Sequence, residues 1–343
     1  MTFWVCTLAG FLLTLIGVWE TFMAVLHPRA VVGPVTTIIN RAFHCVVDAS
    51  TIKHSRWVVF TGPVLITVQV LCWATLLLIG VSLIVWPQLG EGIVQNGDKP
   101  IDPSFSTAIY YAGFTITTLG VGDLVPQNVA MRMLTITTAG LGFSYFTLVL
   151  AYVISIYSRL ARRNQFACEI DYRTQRTGDS LIYLKPYLVG DDPSLIHQDL
   201  YTLASHMAEL LESHHFYSVL HYFRFNEPRY AMSRMLRFCL EVASLLKALR
   251  EAGGANASSI SEPEERLWHA SRQMLDDTSK HFIVHPSTDH EIDTSIAKRL
   301  YQQLQSVSPN SSPSDPANFI AVYTETCKLW SRDLRSLEIG SGD

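Results

Sequence analysis

The sequence predicts an all-α membrane protein. It should hold three transmembrane helices, a short re-entrant helix and loop between the second and third, and an all-α domain behind them. Three observations predict this. Apolar residues make up 48% of the 343 positions, and mean hydropathy is positive, which places the chain in the membrane class. They concentrate before Arg159, whereas Asp, Glu, Lys, Arg and His crowd the remainder. The early part also divides into apolar runs long enough to cross a bilayer, which takes roughly 20 helical residues.

Phe3 to Leu26 is the first run, interrupted only by Glu20. A secretory signal would carry Lys or Arg at its start and a small-residue cleavage pattern after it, and neither is present. Glu20 lies within about two turns of His27, so it reads as an acid pairing with a nearby Arg at the membrane boundary rather than as a proton relay. Next, Val35, Ile38, Ile39, Ala42, Phe43, Val46 and Val47 recur at helical spacing opposite Asn40, Arg41, His44 and Asp48. Both an interfacial amphipathic helix and a short helix packed on protein fit that pattern.

Trp57 to Trp86 contains no Asp, Glu, Lys or Arg, its end tryptophans suit the two interfaces, and Pro63 near its start is tolerated. Met131 to Tyr157 is the third run, bounded by Arg132 and by Arg159, Arg162 and Arg163. Arg29, Arg41, Lys53 and Arg56 follow the first run, and Arg173 and Arg176 join the arginines after the third. Between Pro87 and Ala130 only Lys99 is basic, beside Glu91, Asp98, Asp102 and Asp123. The positive-inside rule then predicts a multi-pass protein of the cell membrane, with that connection and the N-terminus outside and the C-terminal domain in the cytoplasm. No run carries the regularly spaced Arg or Lys of a voltage sensor.

The divisions are 1–56 for the first helix and the amphipathic helix, 57–158 for a two-span unit, and 159–343 for the helical domain. A net charge of −4 and the lack of a basic run with interleaved aromatics exclude nucleic acid as a partner. Cys6, Cys45, Cys72, Cys168, Cys239 and Cys327 are scattered and read as free thiols. No nucleophile and base set, phosphate loop or metal motif appears, so the expectation is not an enzyme.

Chemistry concentrates between the second and third runs. Asp102 is a good N-cap with Pro103 at the first helical position, opening a helix too short to span. It leads into Thr117-Thr118-Leu119-Gly120-Val121-Gly122-Asp123, and a helix and strand of this kind that return to the same side form a re-entrant loop. Backbone carbonyls that all face one axis can replace the hydration shell of an ion. Such a strand needs alternate residues at angles that penalise a Cβ, which Gly120 and Gly122 avoid.

This segment resembles the pore-loop potassium channels, whose filters read T-T-x-G-aromatic-G-D after a short helix. It matches at every position but Val121, where those channels carry the aromatic. Tyr110 and Tyr111 stand where they commonly carry an aromatic pair on the pore helix, and the resemblance covers Trp57 to Ser158. It implies potassium ligands from the carbonyls of Thr118, Leu119, Gly120 and Val121, an inner site at the Thr118 hydroxyl, and a homotetramer, because four loops surround one axis. Related channels have a glycine hinge at the position of Gly142, near Gly140. On that alignment Phe146 lines the cavity, and Ala151 and Ser155 lie near the inner constriction. Close helix packing through small residues explains Gly140 and Gly142 equally well. The implied partners are the lipid bilayer and other copies of the chain, with no cofactor or metal beyond permeant potassium and no regulator identified. Two alternatives stay open: a weakly selective cation channel, since the aromatic is missing, and a membrane-anchored signalling protein with a vestigial pore.

Beyond Arg163, helices are predicted over Pro193 to Phe223, Pro228 to Glu251, Pro263 to Phe282, Glu291 to Val307 and Ala317 to Leu337, with loops at Gly253-Gly254 and Ser308 to Pro316. Met232, Met235, Leu236, Cys239, Val242, Ala243 and Leu246 form a core stripe. No G-x-G-x-x-G occurs, which argues against a dinucleotide fold. His281 and His285 share one helical face, but no Cys or acid completes a recognised metal set.

Overall fold

The computed structural model describes residues 2–27, 33–49, 59–97, 100–189, 194–253, 261–282, 294–307 and 313–341. Arg29, Lys53, Arg56, Lys99, Gly254, the start of the Ser308 to Pro316 loop, His285 and His290 lie outside these residues. The described residues fall into two units. Those within Met1–Thr51, Phe60–Ser158 and Phe216–Phe223 form one, and those within Ile52–Val59, Arg159–His215 and Arg224–Asp343 form the other.

In the first unit, α1 (Thr2–Val25), α3 (Thr61–Val85) and α5 (Val129–Arg173) contain the three stretches long and apolar enough to span a membrane. α1 packs along α3, and a Cβ on Gly10 would stand 2.6 Å from the Gly80 carbonyl oxygen. Only small residues permit so close a crossing.

α2 (Pro34–Ala49) is the amphipathic helix, and its N-terminus settles the role of Glu20. That side chain is fully buried. Its carboxylate accepts from the backbone N–H of Val35 at 2.7 Å and of Thr36 at 3.1 Å, and from the Thr36 hydroxyl at 2.7 Å. The expected arginine pairing gives way to the free N–H groups of a helix start, which attract a carboxylate by hydrogen bonding and by dipole. Trp73 Nε1 donates to the same Thr36 hydroxyl at 3.0 Å, tying the cap to α3.

The chain leaves α3 through a turn, forms β1 (Ile93–Gln95), then α4 (Phe105–Ile116), β2 (Leu124–Pro126) and α5. β1 and β2 pair antiparallel with Ile93 opposite Pro126, a small departure from an all-α description. α4 starts two residues later than expected. Ser104 is its N-cap, and Asp102 instead accepts from the Ser104 N–H at 3.1 Å and hydroxyl at 2.6 Å. The Ser104 hydroxyl holds the Asp102 carboxyl below its usual range.

Phe216–Phe223 also belongs to this unit and includes a 3-10 turn, Ser218–Tyr222. Thr61 Oγ1 donates to the Tyr222 carbonyl at 2.8 Å. The Phe223 ring fills the space a Cβ on Gly62 would need, and Tyr217 lies 6.0 Å from Tyr152 of α5. This strap closes one end of α3 and α5.

The second unit begins in the last turns of α5, which runs unbroken to Arg173. The change in composition at Arg159 thus marks a change of surroundings without a break in the backbone. α6 (Ser180–Val189) went unpredicted because it is short and contains Pro186. α7 (Ser194–Phe216) stops before the strap, and α8 (Met232–Glu251) sits at the centre, packed on α9 (Ser261–Phe282) and α11 (Pro316–Ser341), with α10 (Thr294–Val307) against α6 and α11. The stripe from Met232 to Leu246 is buried as expected, against Leu267, Met274, Phe319 and Trp330.

Glu241 of α8 is set apart electrostatically. Burial pushes its carboxyl up to about 7, and Asp179 and Glu338 add to the rise while Arg237, itself paired with Glu338, opposes it. A raised carboxyl keeps its proton in the folded state, so its stabilising contribution is present below the unfolded value and is lost as pH rises toward 7. The Glu241→Gln variant should therefore gain stability over the native protein between pH 5 and 8, by roughly 1 to 3 kcal/mol. Thermal melts of both proteins across that range check it; parallel profiles would contradict the assignment.

Candidate functional site

The site is the stretch that follows α4. Thr117 caps the helix through its N–H to the Gly113 carbonyl at 3.0 Å, and its hydroxyl also donates to that carbonyl at 2.8 Å. The Thr118 N–H donates to the Thr115 carbonyl at 3.1 Å and the Leu119 N–H to the Phe114 carbonyl at 2.9 Å, so the strand grows directly out of the last helical turn.

Its backbone then alternates in hand. Thr118, Gly120 and Gly122 have φ of 57°, 60° and 80°, whereas Leu119 and Val121 are not among the positive-φ residues. Positive φ costs a residue with a Cβ on the order of 1–2 kcal/mol and costs Gly almost nothing, which accounts for both glycines. Thr118 bears that cost at the helix end, where its hydroxyl donates to the Thr117 carbonyl at 2.7 Å. Thr117 to Gly122 are exposed in the single chain, Leu119 at 71% and Val121 at 48%.

One group fastens the Asp123 end of this strand, and sequence reasoning missed it. Asn96, just past β1, donates from its N–H to the Asp123 carbonyl at 2.7 Å and from Nδ2 to the Gly122 carbonyl at 3.2 Å. β1 and β2 are each three residues long, too short for alternation to reveal them. Trp86 fastens the start of α4, donating to the Pro103 carbonyl at 3.0 Å with its ring edge on Phe105.

The tyrosine pair divides its tasks. Tyr111 is buried, and its hydroxyl meets the Thr135 hydroxyl of α5 at 2.6 Å. Tyr110 is exposed and lies near the Asp123 carboxylate. Both rings lie edge-on to Phe114.

On α5, a Cβ on Gly142 would stand 2.0 Å from the Ile116 carbonyl oxygen, so the end of α4 rests directly on α5 there. A Cβ on Gly140 would meet nothing within 4 Å. Phe146 and Ala151 are exposed, Ser155 is half-buried, and α5 continues unbroken past all of them. Among the described residues, no group of three or more His, Cys, Asp or Glu is placed to hold a metal ion.

A family model described as "Ion channel" matches residues 63–159. The chain is also 24% identical over 216 residues to an uncharacterized membrane protein, YdjJ, of Bacillus subtilis (strain 168). That alignment covers 63% of this chain, and the chain spans about three-fifths of the relative, 62% of its length. No solved structure matches the chain.

Proposed function

We propose that residues 63–159, which match the ion-channel family model, form a pore-loop unit, and that the chain assembles as a homotetramer conducting potassium passively through the carbonyls of Thr118, Leu119, Gly120 and Val121. The observation that carries the reading is the alternation of φ at Thr118, Gly120 and Gly122 in an exposed strand rooted on α4. Residues alternating in hand can turn successive carbonyls to one side, where they replace the water around an ion. The C-terminal end of α4 contributes partial negative charge at the inner end.

The uncovered face of α5 supports assembly. Val129, Met133, Ile136, Phe143, Leu150, Ile154 and Tyr157 are all exposed in one chain. Their spacing follows a three-four repeat, with Gly140 and Thr147 at the intervening positions. Such a stripe is the seam of helices packed around an axis. In this reading the C-terminal domain is cytoplasmic, the connection bearing β1 and α4 is outside, and α5 transmits movements of the domain to the pore, with Phe146 lining the cavity, Ala151 and Ser155 near the inner constriction, and Gly140 and Gly142 as the hinge.

Val121 decides the grade of selectivity. The resembled filters use a ring at this place to stiffen the outer strand. Here Asn96 grips the Gly122 and Asp123 carbonyls. With the carbonyl count retained, potassium preference should persist without the ring. Bi-ionic potentials on the native chain and on Val121→Tyr test this, beside native mass spectrometry for the tetramer. Potassium should be strongly preferred in both, and the substitution should change the duration of conduction more than ion preference. Near-equal sodium and potassium permeability in the native channel, corrected by the substitution, would install the weakly selective alternative; a stable monomer or dimer without flux would favour the signalling protein.

A further inference from the structure

Arginine side chains of α5 gather on one space beside α7. A cavity of about 260 Å³ in the second unit is lined by Arg159, Arg162, Arg163 and Phe166 of α5 and by His206 and Glu209 of α7, among others. Arg162 pairs with Glu209 Oε1, and Arg159 approaches the same oxygen at 3.6 Å. Arg163 is held from behind, donating to the Tyr230 carbonyl at 3.2 Å with its guanidinium over the Phe225 ring. Arg159 and Arg162 share the one carboxylate of Glu209, which leaves a net charge of +1 among these three groups, before any proton on His206, itself 3.6 Å from Glu169.

Position along the helix adds a second constraint. Arg132 and Arg159 bracket the apolar length of α5, and at 1.5 Å per residue they lie about 40 Å apart. That separation matches a hydrocarbon core with its two headgroup layers, so along α5 Arg159 falls at headgroup depth. Planar guanidinium groups that converge on one space recognise tetrahedral phosphate oxygens by paired hydrogen bonds.

We propose that this cavity, between the end of α5 and α7, binds a phosphate-bearing anion. Lipid headgroups and soluble phosphates share that chemistry, and Glu209 occupies the arginines when neither is bound. A bound phosphate would displace Glu209 from Arg162 and bridge α5 to α7 in its place.

The test uses the purified full-length chain and does not depend on whether the pore conducts. Binding is read by native mass spectrometry after addition of phosphatidylglycerol, phosphatidylcholine or inorganic pyrophosphate, at low and high salt. The native chain should retain phosphatidylglycerol or pyrophosphate over phosphatidylcholine, less so at high salt. Arg159→Gln with Arg162→Gln should weaken retention by about fivefold per arginine removed. Glu209→Gln should strengthen it, a gain that misfolding cannot imitate. Retention of phosphatidylglycerol alone identifies a lipid headgroup as the source, and retention of pyrophosphate alone a soluble phosphate. Equal retention of phosphatidylglycerol and phosphatidylcholine with no pyrophosphate bound, or retention unchanged by all three substitutions, would overturn the proposal.

Discussion

Gly142→Ala is expected to abolish ion flux and to lower the thermal stability of the purified protein, whereas Gly140→Ala leaves stability unchanged or slightly raised. The added methyl at position 142 would stand 2.0 Å from the Ile116 carbonyl oxygen, and a backbone atom at the end of α4 cannot step aside as a flexible side chain would. Overpacking of this kind costs about 1–3 kcal/mol per chain, and here the strain falls on the residue immediately before Thr117. At Gly140 the methyl meets nothing within 4 Å of its own chain, and Ala favours the helix by about 1 kcal/mol. Melting curves and liposome flux on both variants separate close packing from hinging. If Gly142→Ala melts and conducts as the native protein does, the packing account is wrong. If both variants fold normally but gate abnormally, bending at the glycine pair is the better explanation.

Glu20→Ala should destabilise the first unit by about 3–5 kcal/mol, because it strips the acceptor from two backbone N–H groups and a hydroxyl in a buried place. Glu20→Gln keeps one acceptor oxygen and should cost less. Hydrogen exchange at the Val35 and Thr36 amides provides the local reading: faster exchange in both variants, more so in Glu20→Ala. Native protection at those amides in Glu20→Ala would show that something else caps α2.

The parts of this architecture visible in sequence are those where physics restricts residue type. A bilayer tolerates few charges, so the three long helices stand out in composition. Alternating backbone hand favours glycine, so Gly120 and Gly122 announce the strand after α4. Features that depend on what lies opposite were hidden. Glu20 could be seen as an acid in an apolar run, but its partners lie across a connection, at a helix start. Asn96 is an ordinary loop residue until β1 and β2 pair beside it. In sequence the helical pattern of α7 runs on to Phe223, because the apolar and aromatic residues of the strap suit a helix face as well as a turn. The change of composition at Arg159 coincides with the division between the two units, and what it does not reveal is that the backbone of α5 continues unbroken through that point.

The strap also sets an order of events during synthesis. Gly62, Thr61 and Tyr152 are made well before Tyr217, Tyr222 and Phe223, the residues that cover them in the finished unit. After α5 has emerged, the ribosome must still deliver α6 and α7 before that end of α3 and α5 can close. The nascent chain therefore holds an unsealed aromatic seam for the time needed to translate the residues from Ser158 to Phe223, and a message ending just after α5 would leave that seam open permanently.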